Sequence, residues 1–221
     1  MSVGPRRPGA PRALLLMGQA TSGDRQFHNQ PEHWALLAGI LRTADLAAAV
    51  ITDDLADLTS ANLARFDVLL NFSTDLVGTD EQIGALLGAV EAGAGFVGLH
   101  AANATFRASD AYAAMVGSRF ARHPPIKTFA VEIVDRDHPV TAGLDSFEVE
   151  DERYELKDEA ADLRVLARAE GHASVYVRQH GRGRVCYVAP GHDRRTLESP
   201  QYARLVHQAV AWTARASEPI Q

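Results

Sequence analysis

Short apolar segments alternate with segments of helical periodicity through the first half of the chain. The apolar segments are rich in aliphatic and β-branched residues, as buried strands are, and they cover residues 13–20, 46–52, 67–73 and 95–100. Between them, residues 31–42 and 79–91 place their apolar side chains on one stripe, as amphipathic helices do. This alternation predicts βαβ units around a parallel sheet.

Two local signals mark the ends of the helix predicted at residues 79–91. Thr79 is followed three residues later by Gln82, which is the spacing of a capping box, and Gly93 stands where a C-terminal glycine cap belongs. The sequence therefore predicts a helix that is capped at Thr79 and ends before Gly93.

The pattern changes in the second half of the chain. After a predicted helix at residues 109–120, strand-like segments follow one another at residues 127–134, 147–157, 163–168, 174–179 and 184–189. Such consecutive strands indicate an antiparallel extension of the sheet. A last helix at residues 199–215 carries an apolar stripe, and no change of composition separates a second domain. We predict one domain over residues 13–217.

The first twelve residues have a different composition. Residues 1–12 contain three prolines and three arginines, so they can bury little apolar surface and we expect a disordered tail. The apolar run after them ends at Gly18, which is short of the ~7–15 residues that a secretion signal needs. An uninterrupted run of about 18 apolar residues, long enough for a membrane span, is also missing. We expect a cytoplasmic protein with no membrane partner.

Composition and charge narrow the partners further. The chain has 221 residues, a net charge of −6 and no Lys/Arg-rich block, so nucleic acid is not an expected partner. The one cysteine, Cys186, cannot form an internal disulfide and lies inside a predicted strand, where a packing role is the favoured interpretation. No glycine-rich phosphate loop is present, which argues against NAD and ATP as cofactors. A homodimer is compatible with the sequence.

Two histidines follow apolar strands through small-residue turns. His100 ends the segment 95–100 and precedes Ala101, which permits a sharp turn from strand to helix, and His192 follows Gly191 after the last strand. Ligands of parallel sheets bind outside the carboxyl ends of the strands. A lone histidine at a strand end is more often structural, but two of them favour a site. We predict that both imidazoles share one pocket.

A polar cluster interrupts the strand predicted at residues 147–157. If this stretch is extended, its period of two places Glu152 and Tyr154 on one face and Asp151 and Arg153 on the other. Glu152 is then the better candidate to meet the histidines, although an exposed acidic hairpin fits the same sequence.

Six motifs, taken together, make the chain similar to the ThuA-like (trehalose utilisation) family. In chain order they are Phe96-Val97-Gly98-Leu99-His100-Ala101-Ala102, Val116-Gly117-Ser118-Arg119-Phe120, His123-Pro124, Asp137-His138-Pro139-Val140-Thr141, Asp151-Glu152-Arg153-Tyr154, and Gly181-Arg182-Gly183-Arg184-Val185 leading into Gly191-His192. Their order and approximate spacing cover the chain from the first strand to the final helix.

The resemblance implies an α/β fold that is flavodoxin-like and related to class I glutamine amidotransferases, with a mostly parallel sheet, helices on both faces and an antiparallel extension. It also implies a role in the catabolism of trehalose or related glucosides and keto-glucosides. Where the amidotransferases carry a nucleophilic cysteine and its histidine base, this chain has His100 and His192. Glutamine amidotransfer is therefore not expected.

The family also tends to carry a histidine in the loop after the first strand, and His28 resembles it, although Asn29-Gln30 replace the acid or serine often found beside it. His33, in the following helix, is expected at the surface. The candidate site residues are catalytic His100, Glu152, His192 and Tyr154, substrate-binding Asp151, His123 and His138, and, for a divalent metal such as zinc, the ligands His28, His100 and His192.

Two of these candidates have an equally good structural interpretation. His123 and His138 each precede a proline, and a residue before proline is restricted to extended conformations, as in stiffened loops. A structural role for both histidines is therefore at least as well supported as contact with substrate.

Two functions from different classes fit this set. The first is a carbohydrate-processing enzyme, an isomerase, lyase or hydrolase, which moves a proton beside the keto group of a sugar by acid–base or metal-assisted chemistry. The alternative is a non-catalytic sugar-binding or regulatory module on an amidotransferase-like fold. Sugar-binding modules present aromatic platforms, but only 7% of the chain is aromatic, and Trp34 and Trp212 both fall in predicted helices. We therefore favour the enzyme.

Overall fold

A nine-stranded mixed sheet forms the centre of the computed structural model, which describes residues 9–20 and 28–214. The strands are β1 Arg12–Gln19, β2 Ala48–Thr52, β3 Val68–Thr74, β4 Gly95–Leu99, β5 Arg119–Arg122, β6 Lys127–Ile133, β7 Phe147–Asp151, β8 Glu155–Lys157, β9 Arg164–Ala169, β10 His172–His180 and β11 Gly183–Val188. The helices are α1 Gln30–Thr43, α2 Ser60–Leu63, α3 Asp80–Glu91, α4 Asp110–Val116, α5 Arg194–Leu197 and α6 Pro200–Thr213, with 3-10 turns at Leu55–Asp57 and His100–Ala104.

The strand order confirms the predicted parallel sheet with its antiparallel extension. Across the sheet the strands run β2-β1-β3-β4-β11-β10-β9-β6-β7. The first five are parallel to one another, and from β11 onward each neighbouring pair is antiparallel. The short strands β5 and β8 pair separately. The carboxyl ends of five parallel strands therefore meet at one edge.

Helices cover both faces of the sheet, as expected. Along β1 the side chains alternate, because successive residues of a strand point to opposite faces. Leu15 packs in the same apolar cluster as residues of α1 and α6, whereas Leu14 packs in a second cluster with residues of α3 and α4. Two separate cores thus hold the sheet between two helical layers.

The predicted ends of α3 are confirmed. The Thr79 hydroxyl accepts from the backbone N–H of Gln82 at 3.2 Å, and the Gln82 side chain accepts from the N–H of Thr79 at 2.9 Å, which completes the capping box. Gly93 follows the helix at φ 118°, in the region that favours glycine.

Two predicted elements are wrong in their extent. The helix predicted at 109–120 ends at Val116, because Gly117 takes a left-handed φ of 94° and the chain then forms β5. The strand predicted at 147–157 divides into β7 and β8. Its three middle residues leave the extended pattern and turn toward the carboxyl edge of the sheet.

Parts of three predictions lie outside the described residues, namely positions 1–8 of the predicted tail, position 215 of the last predicted helix, and positions 21–27 and 215–217 of the predicted domain. The remaining end of the tail is partly ordered, since β1 begins at Arg12. Among the helices of residues 9–20 and 28–214, none is long and apolar enough to cross a membrane.

Gly95, the first residue of β4, allows a test of how closely the sheet packs against α6. A Cβ added to Gly95 would lie 2.5 Å from the backbone of Thr213 in α6, so the helix would have to shift. We expect Gly95→Ala to lower the free energy of unfolding by about 1–3 kcal/mol. In the control Gly84→Ala, the added Cβ in α3 meets no atom within 4 Å, so stability should rise by about 0.5–1 kcal/mol. Chemical denaturation that shows the same change for both variants would contradict the close approach.

Candidate active site

Three histidines converge at the carboxyl edge of the parallel strands. His28 follows β1, His100 follows β4 and His192 follows β11. The ring centroid of His28 lies 5.2 Å from those of His100 and His192, and these two rings are 5.6 Å apart. Strand order reverses between β1 and β3, and ligands of open α/β sheets bind outside such a point. The structure thus brings His100 and His192 together and adds His28.

His100 occupies a sharp turn between β4 and the 3-10 helix. Its φ of 47° is uncommon for a residue with a side chain, and such strain is found at functional sites. Its backbone carbonyl accepts from the Tyr187 hydroxyl at 2.6 Å, and its ring Nδ1 lies 2.9 Å from the carbonyl oxygen of Ala189. Because a carbonyl only accepts, Nδ1 carries the hydrogen. The other ring nitrogen, Nε2, faces Glu152 and Tyr154.

The turn that carries His192 approaches His100 closely. A Cβ at Gly191 would lie 3.2 Å from the Cβ of His100 and 2.9 Å from the Tyr202 hydroxyl, and the backbone there has φ 141°. Glycine is needed at this position because a side chain would meet both neighbours.

Glu152 contacts three imidazoles at once. Its Oε2 lies 3.5 Å from His100 Nε2 and 3.3 Å from His192 Nδ1, and its Oε1 lies 3.3 Å from His123 Nε2. The side chains of Glu152 and His192 are 13% and 17% exposed, so both are mostly buried but reach the surface.

The electrostatics of Glu152 and His192 are reciprocal. Burial opposes ionisation of Glu152, but its hydrogen bonds with His100 and His192 outweigh burial and hold its pKa well below the usual range. Burial likewise lowers the pKa of His192, yet the hydrogen bond with Glu152 outweighs it and raises that pKa above its ordinary value. A carboxylate beside an imidazolium is the favoured charge state of this pair.

Tyr154 completes the group around His100. Its hydroxyl lies 3.0 Å from His100 Nε2, and the two ring centroids are 4.5 Å apart. Burial, and then the charge of Glu152, raise the pKa of Tyr154 well above its usual value. The phenol therefore keeps its proton, and its hydroxyl lies within hydrogen-bond distance of His100 Nε2.

The backbone and ring of His28 are held by two polar side chains. The Gln19 side chain accepts from the His28 N–H at 3.1 Å and donates to its carbonyl at 3.0 Å, while His28 Nδ1 lies 3.0 Å from the Thr74 hydroxyl. Burial first, and then the nearby His100 and His192, lower the pKa of His28 to about 2. His28 is a neutral imidazole at neutral pH.

His33 is a residue that sequence analysis misplaced. It was expected at the surface, but it is fully buried, with its ring 5.5 Å from that of His28 and 5.2 Å from that of Phe72. Burial, and then His100 and His192, lower its pKa to about 4. The signal was available, because His33 lies four residues before Leu37 and so shares the buried stripe of α1.

Asp151 does not fit its predicted role in substrate binding. It is fully buried, and its carboxylate accepts from the backbone N–H groups of Gly191 at 2.9 Å and His192 at 3.1 Å and from the Thr196 hydroxyl. Its oxygens are thus occupied in fixing the turn that carries His192. Asp151 therefore holds the backbone of this turn in place and does not itself offer an oxygen to a substrate.

The two histidines that precede proline, His123 and His138, have different environments in the structure. His123 is 34% exposed and reaches Glu152, so it stays a candidate for contact with substrate. His138 does not, because its ring packs against Trp212, 4.9 Å between centroids, and its Nδ1 accepts from the N–H of Val140. It follows β6, which runs opposite to β4 and β11, so it lies at the other edge of the sheet.

Cys186 lies inside β11 and is fully buried. Burial raises the pKa of its thiol above the usual value, and a thiol rather than a thiolate is a poor nucleophile. The sole cysteine is a small apolar packing residue of the core.

The anchoring role of Asp151 can be tested by one isosteric change. Asp151→Asn would turn an amide N–H toward the donors of Gly191, His192 or Thr196, so we expect the free energy of unfolding to fall by about 2–3 kcal/mol. Glu150→Gln is the control, because Glu150 is an exposed carboxylate of the same strand that pairs with Arg195 at the surface; it should change stability by less than about 0.5 kcal/mol. Denaturation curves that coincide for the two variants would rule the anchor out.

Comparison with known proteins agrees with this architecture. The profile of the ThuA family, described as "Trehalose utilisation", matches residues 15–213. No curated protein matches the sequence. A ThuA-like protein from Parabacteroides merdae superposes with a TM-score of 0.79 at 17% identity, over 93% of this chain and 90% of its own.

Two further solved structures share the fold. A ThuA-like protein from Bacteroides uniformis has a TM-score of 0.72 at 20% identity, over 95% of this chain and 94% of its own. A cytoplasmic protein from Salmonella typhimurium has a TM-score of 0.62 at 15% identity, over 93% and 98%. At these identities the structures establish the fold alone. Because the family profile spans nearly the whole described chain, the chain belongs to the ThuA family.

Proposed function

We propose that this protein is an enzyme in the breakdown of trehalose or related glucosides, and that it moves a proton beside the keto group of an oxidised sugar. The observation that carries the proposal is the position of Glu152, an ionised carboxylate held among three imidazoles and beside a protonated tyrosine. The description of the ThuA family supports the sugar as substrate.

The chemistry follows from what a ketone does to its neighbours. A keto group acidifies the adjacent C–H, so a carboxylate can take that proton if another group stabilises the oxygen on which negative charge develops. Glu152 supplies the carboxylate, and the Tyr154 hydroxyl and the His192 ring supply hydrogens for the oxygen. When His192 turns its hydrogen to the substrate, it no longer stabilises the Glu152 carboxylate, which becomes a stronger base. A carboxylate base paired with a tyrosine hydroxyl is an established arrangement for such a transfer.

The enolate that forms has two outcomes, both without a nucleophilic cysteine. If the proton is returned to the former carbonyl carbon, and the hydroxyl hydrogen of the adjacent carbon passes to the former keto oxygen, the keto group moves by one carbon and the sugar is isomerised. Expulsion of a glycosidic oxygen attached one carbon further away breaks the glycoside, and that oxygen must then receive a proton. His123 and His192 are donors for it, since both contact Glu152 and both are partly exposed. The cytoplasm is the compartment that we propose, in keeping with the similar Salmonella protein.

Two substitutions test the proposal without removing the core. Glu152→Gln keeps the shape of the side chain but cannot accept the proton, and His100→Ala removes the ring that holds Tyr154 and Glu152. We expect each to lower kcat on 3-keto-glucosides by about 10²–10⁴-fold, with melting temperatures measured in parallel. His100→Asn is a second variant at this position, because asparagine tolerates positive φ and can donate to the Ala189 carbonyl.

The matched control lies at the other edge of the sheet. Glu91 pairs with His180 at 3.4 Å, so Glu91→Gln breaks a similar pair far from the site and should leave turnover unchanged. Full activity in both Glu152→Gln and His100→Asn would refute the proposed roles. If the wild type binds trehalose or keto-glucosides but converts none of a panel of them, the chain is a sugar-binding or regulatory module instead.

A further inference from the structure

We propose that His28, His100 and His192 together bind one divalent cation of the zinc class, each through its Nε2 atom. One potential ligand atom from each of these residues lies within 4.8 Å of the others. Zinc–nitrogen bonds of about 2.0–2.1 Å need donors somewhat closer than that, a distance that small rotations of the rings can supply. The three residues come from three different loops at the strand ends.

The hydrogen-bond partners of the opposite ring nitrogens carry the proposal. His28 Nδ1 contacts the Thr74 hydroxyl at 3.0 Å, His100 Nδ1 contacts the Ala189 carbonyl at 2.9 Å, and His192 Nδ1 lies 3.3 Å from Glu152. A histidine that binds a metal almost always offers its other nitrogen to an oxygen in this way, which fixes the tautomer and the ring orientation. With an oxygen beside each Nδ1, the Nε2 atom is the nitrogen that each ring has left to offer a cation.

Burial and charge favour the same interpretation. His28 and His100 are 6% and 0% exposed, and His192 is partly buried, so the three rings form a mostly enclosed cluster. A cation bound there would displace the proton that Glu152 otherwise holds on His192. Glu152 supplies the one carboxylate beside them, and a cation would compensate its charge.

The donor set selects the kind of cation. Three nitrogen ligands suit zinc and its neighbours cobalt, nickel and copper, whereas magnesium and calcium prefer oxygen ligands. Three protein ligands with an open fourth position describe catalytic rather than structural zinc. In the described structure the Tyr154 hydroxyl lies 3.0 Å from His100 Nε2, so it would have to release that nitrogen to the cation, and it could then donate to an oxygen of the substrate in the open position.

This inference deepens the proposed function and partly rests on it, because the cation would act as a Lewis acid on the same ketone. Polarisation of the carbonyl oxygen would acidify the neighbouring C–H, and Glu152 would take the proton from that carbon. In this proposal Thr74 is a positioning residue. It orients His28, and through His28 the cation, without contacting the reacting atoms.

Binding can be measured without any substrate. We expect chelator-treated full-length protein to take up one equivalent of Zn²⁺ in calorimetric titration, to show the visible absorption of four-coordinate Co²⁺, and to melt at a higher temperature with Zn²⁺. Mg²⁺ should produce none of these changes. His28→Ala and His192→Ala should weaken Zn²⁺ binding at least 100-fold and abolish the Co²⁺ spectrum, and Thr74→Val should weaken binding by about 10–100-fold.

Two histidine controls separate this site from non-specific binding. His180→Ala removes a histidine that pairs with Glu91 at the opposite edge, and His123→Ala removes one that contacts Glu152 from outside the triad. Both should bind Zn²⁺ as the wild type does. Absence of stoichiometric uptake, or uptake that His28→Ala and His192→Ala leave unchanged, would overturn the metal site.

The outcomes distinguish this inference from the function on which it partly rests. Stoichiometric binding that depends on the triad, together with no turnover of any keto-glucoside, would leave the metal site standing and remove the proposed reaction. Undiminished turnover by metal-free protein would leave the proposed reaction standing and remove the role of the cation in it, because Glu152 and its neighbours would then work without a cation.

Discussion

The buried carboxylate of Asp151 is the interaction on which the site depends. It lies at the end of β7, in the antiparallel extension, yet it accepts hydrogen bonds from the turn after β11, in the parallel part of the sheet. A charged acceptor that meets several donors is held more strongly than a neutral one, and removing it leaves those donors unsatisfied. One side chain thereby fixes two distant segments, and each carries a group of the site: Glu152 follows Asp151 directly, and His192 belongs to the turn.

Much of the site was predictable because strand ends are visible in the sequence. His100 and His192 both follow apolar segments that end in small residues, and parallel strands bring such ends to one edge. His138 follows the strand predicted at residues 127–134, yet it lies at the opposite edge. The difference is strand direction: β6 belongs to the antiparallel extension, and its direction is set by the strands with which it pairs. The same reversal carries His180 away from the site.

The remaining errors concern burial rather than secondary structure. Asp151 and Glu152 are neighbours of the same residue class, and the alternation of a strand assigns them to opposite faces without saying which face meets the histidines. The structure gives Asp151 to the interior and Glu152 to the pocket. His33 was misplaced because polar residues are mostly exposed, and that tendency outweighed its position on the buried stripe of α1. Its burial makes sense beside His28, since both rings belong to one cluster of imidazoles.

The turn at His100 joins a strained backbone to a group of polar side chains. A strained turn at the end of a central strand presents one side chain above the sheet, and the strain is tolerated because both ends of the turn are tied down: Tyr187 holds the His100 carbonyl and Ala189 holds the ring. The side chain presented there is an imidazole. The sole thiol, Cys186, is inside the neighbouring strand, where it contributes packing. The chemistry available at this turn is therefore that of the groups around His100, a carboxylate, a phenol and further imidazoles, and these are groups that can exchange protons or bind a cation.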